Sequence, residues 1–234
     1  MKKRVLALAA LILATSTASV ASATNIANVT DVTDAAADEK SEALLSELQR
    51  KVAGWGDYRV EFSVTIGDEA LGGSFEVSGE SYHVVTPEVE LFCDGTTRHE
   101  VNTTDREVSI DRVDPLDRSV MANPTRLFDL LDGSYTHRYV GVALINGVSC
   151  ERVELRSIEN ADNGASDGSG APRTMDVFIS TATGMPVRIG YVIGFMGAEA
   201  AVDIVRVTPN ITLYREAFVY NARRFAGFET IDFR

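Results

Sequence analysis

Apolar and polar residues alternate along most of the chain, and this period of two is the pattern of a half-buried β-strand. The clearest case is Tyr58–Ile66, in which Val60 and Phe62 alternate with Arg59 and Glu61. Similar patterns predict further strands at Ser74–Ser78, Ser81–Thr86, Glu88–Cys93, Glu107–Val113, Thr136–Ile145, Val148–Arg156, Arg173–Ser180, Val187–Phe195 and Ala200–Val207, with a short extended piece at Ala217–Tyr220.

Two segments have the helical period instead. Ser41 is placed to cap a helix that ends at Gly54, and its apolar stripe consists of Leu44, Leu45, Leu48 and Val52. Asn123 and Pro124 are an N-cap and a first-turn residue of a second, inserted helix that ends at Gly133. Its apolar face consists of Leu127, Phe128, Leu130 and Leu131.

These elements predict a mainly β (α+β) fold built on a single curved, mostly antiparallel sheet. A strongly curved sheet of about ten or eleven strands rarely stays fully open, so we expect an open or incomplete barrel. The helices must bury their apolar stripes, and the concave side of the sheet is the natural place for them to pack as a lid. The polar stretch Glu159–Ala171 lies between strands and is interpreted as a loop inside one domain, residues 41–234.

The first 23 residues have the layout of a secretory signal peptide. Three basic residues, Lys2 to Arg4, precede an apolar run of about ten residues, which is too short to span a bilayer. Small residues follow and end in Ala21-Ser22-Ala23, so we expect export and cleavage near Ala23. Residues 24–40 are small and acidic and are interpreted as a flexible arm.

The charge of the chain argues against some partners. Its formal net charge is −12, and loss of the three basic residues of the signal changes this to −15. Such a charge repels phosphate backbones and anionic headgroups, which disfavours nucleic acid as a partner. The need for solubility is enough to explain this negative charge. Separately, we expect the protein to be a monomer.

The sequence shows no pattern typical of a catalytic or metal site. Cys93 belongs to an apolar strand face and Cys150 to a polar one, so a disulfide between them is not favoured, although export would permit one. His83, His99 and His137 lie in separate segments, and His83 is expected on a solvated strand face. No nucleophile elbow, P-loop or zinc motif is present, so we predict no catalytic residue, no metal, no cofactor and no enzymatic activity.

Several segments together resemble the LolA-like family of periplasmic lipoprotein carriers. The segment LQRKVAGWGDYRVEF resembles the family's helix and first strand, and GSFEVSGESYHV its second and third strands. LFCDGTT is similar to a characteristic turn, and Asn123–Leu131 to the inserted helix. TGMPVRIGY is similar to a late hairpin, and FAGFETIDFR to the closing segment. These segments are Leu48–Phe62, Gly73–Val84, Leu91–Thr97, Thr183–Tyr191 and Phe225–Arg234. The order is more specific than any one motif and indicates a divergent member.

The resemblance implies a periplasmic chaperone that holds lipoprotein acyl chains in an apolar cavity and carries them toward the outer membrane. Its implied partners are acylated lipoproteins, an inner-membrane releasing complex and an outer-membrane acceptor. A sensing module for lipoproteins or envelope stress with the same fold is the alternative, and an exported hydrolase a more distant one. The expected lining of the lipid-binding cavity consists of Trp55, Tyr58, Val60, Phe62, Val64, Phe75, Val77, Tyr82, Val84, Leu91, Leu127, Phe128 and Leu131.

Overall fold

The computed structural model describes residues 31–113, 123–131, 133–158, 174–193 and 198–234. They form a helix, twelve strands and two short 3-10 turns, Pro124–Arg126 and Arg215–Phe218. The helix α1 is Asp31–Ala53. The strands are β1 (Tyr58–Ile66), β2 (Glu69–Ser78), β3 (Ser81–Val85), β4 (Val89–Cys93), β5 (Thr97–Asn102), β6 (Glu107–Arg112), β7 (Tyr135–Ile145), β8 (Val148–Ser157), β9 (Thr174–Ser180), β10 (Pro186–Ile193), β11 (Ala198–Pro209) and β12 (Glu229–Asp232).

The strands form one open sheet, as the alternating pattern predicts. Their order is β12-β6-β5-β4-β3-β2-β1-β11-β10-β9-β8-β7, with β12 and β7 at the two ends. The registered pairs are antiparallel except β12 with β6, which are parallel. The described part of the chain contains no helix long and apolar enough to cross a membrane.

Three predicted elements differ from the structure. Helix α1 begins at Asp31 and not at Ser41, so it includes residues that the sequence placed in the arm. The inserted helix is a single 3-10 turn in which Asn123 makes no side-chain cap hydrogen bond. The piece expected to be extended near Ala217 is the second 3-10 turn. In each case the sequence pattern is too short or too polar to fix the backbone by itself.

The described residues divide into two compact units, the first lying within Met1–Arg50 and Asp129–Ala201. In this unit α1 contacts β7 and β8 through polar groups. Lys40 Nζ lies 3.2 Å from a carboxylate oxygen of Glu151 and 3.8 Å from the ring centre of Tyr139. The Ser41 hydroxyl is buried, lies 2.8 Å from His137 Nδ1 and donates to the Asp38 carbonyl. Ser41 therefore anchors the helix to β7 instead of capping its start.

Cys150 also belongs to the first unit. It is buried although it shares its strand face with Arg152 and Glu154, and its neighbour opposite on β9, Ser180, is buried as well. Burial raises the pKa of this thiol, which lowers its reactivity. Cys93, in the second unit, is likewise a buried free thiol.

The second unit lies within Lys51–Phe128 and Val202–Arg234, and its strand β4 is buried on both faces. We call the face that carries Val60, Phe75 and Leu91 the wall face. The opposite face carries Phe92 and is covered by residues 214–228, so we call it the strap face and those residues the strap. All five residues of β4 are buried, because β4 is covered from both sides.

The strap face contains a second apolar core. Its buried members come from three strands and the strap: Phe92, Val101, Val108 and Phe225, with Ile110, Tyr220 and Phe228 packed against them. Strand β12 then continues the strap along β6, with Glu229 opposite Glu107. The end of the chain therefore closes this face.

Candidate functional site

The wall face is the candidate site, because it gathers almost all the residues expected to line a cavity. Register places Tyr58 opposite Val77 and Val60 opposite Phe75, so the apolar side chains of β1 and β2 share one face. Strands β3 and β4 extend this surface through Val84. Twelve of the thirteen predicted lining residues are buried here: Trp55, Tyr58, Val60, Phe62, Val64, Phe75, Val77, Tyr82, Val84, Leu91, Leu127 and Phe128. The thirteenth, Leu131, is partly exposed and belongs to the first unit.

Five aromatic rings run across the wall face in an unbroken series. Phe128 meets Trp55 edge to face, with ring centres 5.6 Å apart, and Trp55 meets Tyr58 at 5.2 Å. Tyr58 contacts Phe75 at 6.5 Å, and Phe75 contacts Phe62 at 5.8 Å. Such pairs are favourable beyond their area and have no charged member. Burial raises the pKa of the Tyr58 hydroxyl, so the series stays neutral at physiological pH.

Local backbone features bring this series together. Trp55 follows the end of α1, where its amide donates to the Val52 carbonyl. Gly56 has a positive φ of 60°, which turns the chain so that β1 can begin two residues later. On β2, a Cβ at Gly73 would lie 2.7 Å from the Phe62 ring and 2.8 Å from the Val85 carbonyl oxygen, so only glycine fits beneath that ring.

The cover over Trp55 comes from the first 3-10 turn and the two residues after it. Leu127 is 1% exposed and Phe128 3% exposed. Within the turn, the amide of Leu127 donates to the Pro124 carbonyl and the amide of Arg126 to the Asn123 carbonyl. Residues 114–122, just before the turn, lie outside the described residues. The cover therefore meets the wall face through apolar side chains on a single short turn.

The wall face becomes polar beyond β4, a feature that the sequence did not reveal. Cys93 lies opposite Arg98 on β5, which in turn lies opposite Asp111 on β6. Leu91 lies opposite Glu100 in the next row. Since β5 has a single aliphatic residue, its alternation could not be recognised. A search for alternating charged residues after the Asp94-Gly95 turn could have found it.

The strap face has its own buried polar group, the carboxylate of Glu90. One oxygen of Glu90 accepts hydrogen bonds from His83 Nε2 at 2.8 Å and from Arg224 Nη1 at 2.7 Å, and the Glu90 side chain is 7% exposed. The ring of His83 stacks on Phe92 at 4.6 Å. His83 is therefore covered by the strap, and the prediction of a solvated position is wrong, because the strap was not recognised in the sequence.

The described residues do not assemble a recognisable catalytic centre. His99 stacks on Tyr220, and His137 contacts Ser41, so each histidine has a separate structural partner. Burial raises the pKa of the Cys93 thiol, which lies against the wall face. Among the described residues, no group of three or more His, Cys, Asp or Glu side chains is placed to hold a metal ion.

No protein-family model and no curated protein match the chain. Solved structures match its fold. An uncharacterized conserved protein from Thermus thermophilus superposes with a TM-score of 0.53 at 8% identity, over 82% of this chain and 98% of that one. A putative outer membrane lipoprotein-sorting protein domain from Vibrio parahaemolyticus gives 0.45 at 10% identity, over 80% and 99%. A LolA superfamily protein from Nitrosomonas europaea gives 0.40 at 10% identity, over 77% and 97%.

At these identities the similarity concerns the fold alone. The mainly β architecture predicted from the sequence is present as one open sheet, whereas the described residues contain one helix and, in place of the second predicted helix, a short 3-10 turn.

Proposed function

We propose that the protein binds lipoprotein acyl chains on the wall face and carries them through the periplasm toward the outer membrane. The observation that supports this most is the five-ring apolar series, which ends at Phe128 on the same short segment as the buried Leu127. The resemblance of the sequence to lipoprotein carriers and its signal-like N-terminus point the same way. The partners we propose are acylated lipoproteins, a releasing complex in the inner membrane and an acceptor in the outer membrane.

The energetics of an acyl chain explain why such a face is needed. Burial of a methylene group is worth about 0.8 kcal/mol, so a chain of about 16 carbons represents ~13 kcal/mol of transfer from water. A carrier must replace most of this by apolar contact and still release the chain. In our mechanism Leu127 and Phe128 lie against Trp55 in the empty protein and are displaced when an acyl chain takes their place.

A release assay tests the proposal. The purified protein is added to spheroplasts of its own organism, and the supernatant is analysed for soluble complexes with lipoprotein. A fluorescent acyl probe measures binding separately. We expect Phe128→Glu to abolish release and to weaken probe binding, because a carboxylate cannot occupy the apolar cover. Phe233→Glu is the matched control, since Phe233 is 65% exposed in the same unit.

The possible results separate the alternatives. Release by the wild type and by Phe233→Glu, but not by Phe128→Glu, would support the carrier and the position of its site. Probe binding without release would contradict carriage and favour a non-enzymatic sensing module. Absence of both would contradict acyl binding on the wall face altogether.

A further inference from the structure

The polar end of the wall face contains an unusual arginine. The Arg98 side chain is 16% exposed, and its Nη2 lies 3.4 Å from Asp111 Oδ2. Its Nε is fully buried and has no hydrogen-bond acceptor within the described residues. A buried donor without an acceptor costs free energy, and native proteins rarely keep one without a reason. The Arg98 Nε–H is therefore an unpaired donor in the empty protein, and a ligand that displaces the groups covering it could accept its hydrogen bond.

The neighbours of Arg98 restrict which ligand could use that donor. Glu100 lies in the adjacent row of the same face, and Asp111 lies opposite Arg98. Burial acts to lower the pKa of Arg98, but the nearby Tyr82, Glu100 and Asp111 outweigh it and keep the guanidinium charged. Burial, with lesser effects of Asp111 and Glu107, raises the pKa of Glu100 despite the opposing effect of Arg98. An anionic ligand at this position would be repelled by the carboxylates of Glu100 and Asp111.

We propose that this polar end recognises the linkage of an acylated ligand, with Arg98 Nε donating a hydrogen bond to a neutral acyl carbonyl oxygen. The acyl chain itself would extend along β4 toward the aromatic series, since Cys93 and Leu91 adjoin Arg98 and Glu100 directly. Charge complementarity selects a neutral ester or amide over a phosphate. The inference rests on the proposed acyl binding and adds a chemical preference to it.

Competition between matched lipids tests this preference. A diacylglycerol and the dialkylglycerol of the same chain length differ only in the ester carbonyls, so their chains meet the apolar wall equally. Each is used to displace a fluorescent acyl probe from the purified protein. We expect the ester to compete about tenfold better, the size of effect given by one hydrogen bond to a charged donor.

Arg98→Lys should reduce that preference to about twofold or less, because it keeps the charge but removes the Nε donor. Arg59→Lys is the matched control, since Arg59 is on the other face of β1 and pairs with Glu76. In this control the tenfold preference should persist.

A synthetic diacylated lipopeptide is run beside the diacylglycerol to distinguish a lipoprotein source of the ester from a membrane-lipid source.

Glu100→Gln provides an independent test on the same site. A phosphatidic acid with the same chains should bind the wild type more weakly than the diacylglycerol, and removal of the Glu100 carboxylate should reduce that difference severalfold. Equal competition by ester and ether lipids at the wild type would overturn the inference while leaving acyl binding intact. Failure of every acyl ligand to displace the probe would instead contradict the proposed function.

Discussion

Strand β4 is buried on both faces, but the two faces are held by different kinds of contact. Among the described residues, the ring contact between the wall face and its cover is apolar: the ring of Phe128 lies against Trp55. The strap face combines an apolar core with a buried carboxylate, Glu90, bound to His83 and Arg224. Apolar contact is non-directional, so an acyl chain can replace the cover. Displacement of the strap would expose the Glu90 carboxylate or remove its hydrogen bond from Arg224. We therefore expect a ligand to displace the cover of the wall face, and we expect the strap to stay in place on the strap face.

The largest expected effect is on the strap face. Phe92→Ala removes a ring that contacts His83, Tyr220 and Phe225, so we expect the free energy of unfolding to fall by about 3–5 kcal/mol. Denaturant titration measures this. Phe233→Ala, at a side chain that is mostly exposed, should change stability by less than about 0.5 kcal/mol. A similar loss in both variants would contradict the view that this face is a core.

A second effect concerns the polar anchor of the strap. Glu90→Gln keeps the shape but removes the charge that His83 and Arg224 share, so we expect a loss of about 1–3 kcal/mol in unfolding free energy. Glu76→Gln is the control, because Glu76 pairs with Arg59 on a more exposed surface and should matter by about 1 kcal/mol or less. If Glu90→Gln proved neutral, the strap would be held by apolar contacts alone and would be as exchangeable as the cover.

Ligand binding should separate the faces even where stability does not. Phe75→Ala and Phe225→Ala each truncate a buried ring, one on the wall face and one on the strap face. We expect Phe75→Ala to weaken binding of a fluorescent acyl probe by about tenfold, because two of the five rings in the series contact Phe75. Phe225→Ala should leave probe affinity unchanged in the folded protein. Equal weakening in both variants would mean that the probe senses stability and not a site.

The sequence predicts the wall face better than it predicts the strap face. The wall face was predictable because Tyr58–Ile66 alternates without interruption, and this strand is confirmed at both ends. The hairpin of β7 and β8 was also predictable, since Asn146 and Gly147 adopt the positive φ angles that such a turn requires. Strong local patterns therefore suffice where one strand face is apolar and the other polar.

The strap face was not predictable, because its partners lie far apart in the chain. Glu90 follows Val89 in a strand whose polar positions were expected to face solvent, yet Arg224 covers it from a segment over a hundred residues away. Strand β5 contains one aliphatic residue, Val101, and β12 only Ile231, so neither shows an apolar alternation. Parallel pairing of β12 with β6 depends on tertiary contacts that periodicity does not encode.

The smallest expected effect is a pH dependence confined to the strap face. Burial, followed by the charge of Arg234, lowers the pKa of His99, which stacks on Tyr220 at 4.7 Å, while Asp94 and Asp232 act in the opposite direction. The unfolded chain therefore binds the proton more readily, and stability should fall as the pH drops below about 6.5, the ordinary histidine value.

His99→Phe keeps the stacked ring without the titration, so its unfolding free energy should decline less between pH 7 and 5. The carboxylates of Asp94 and Asp232 have lowered pKa values and remain ionised in that range, and His83 is present in both proteins. The difference between the two pH profiles therefore isolates His99, and parallel profiles would contradict a lowered pKa of His99 in the folded protein.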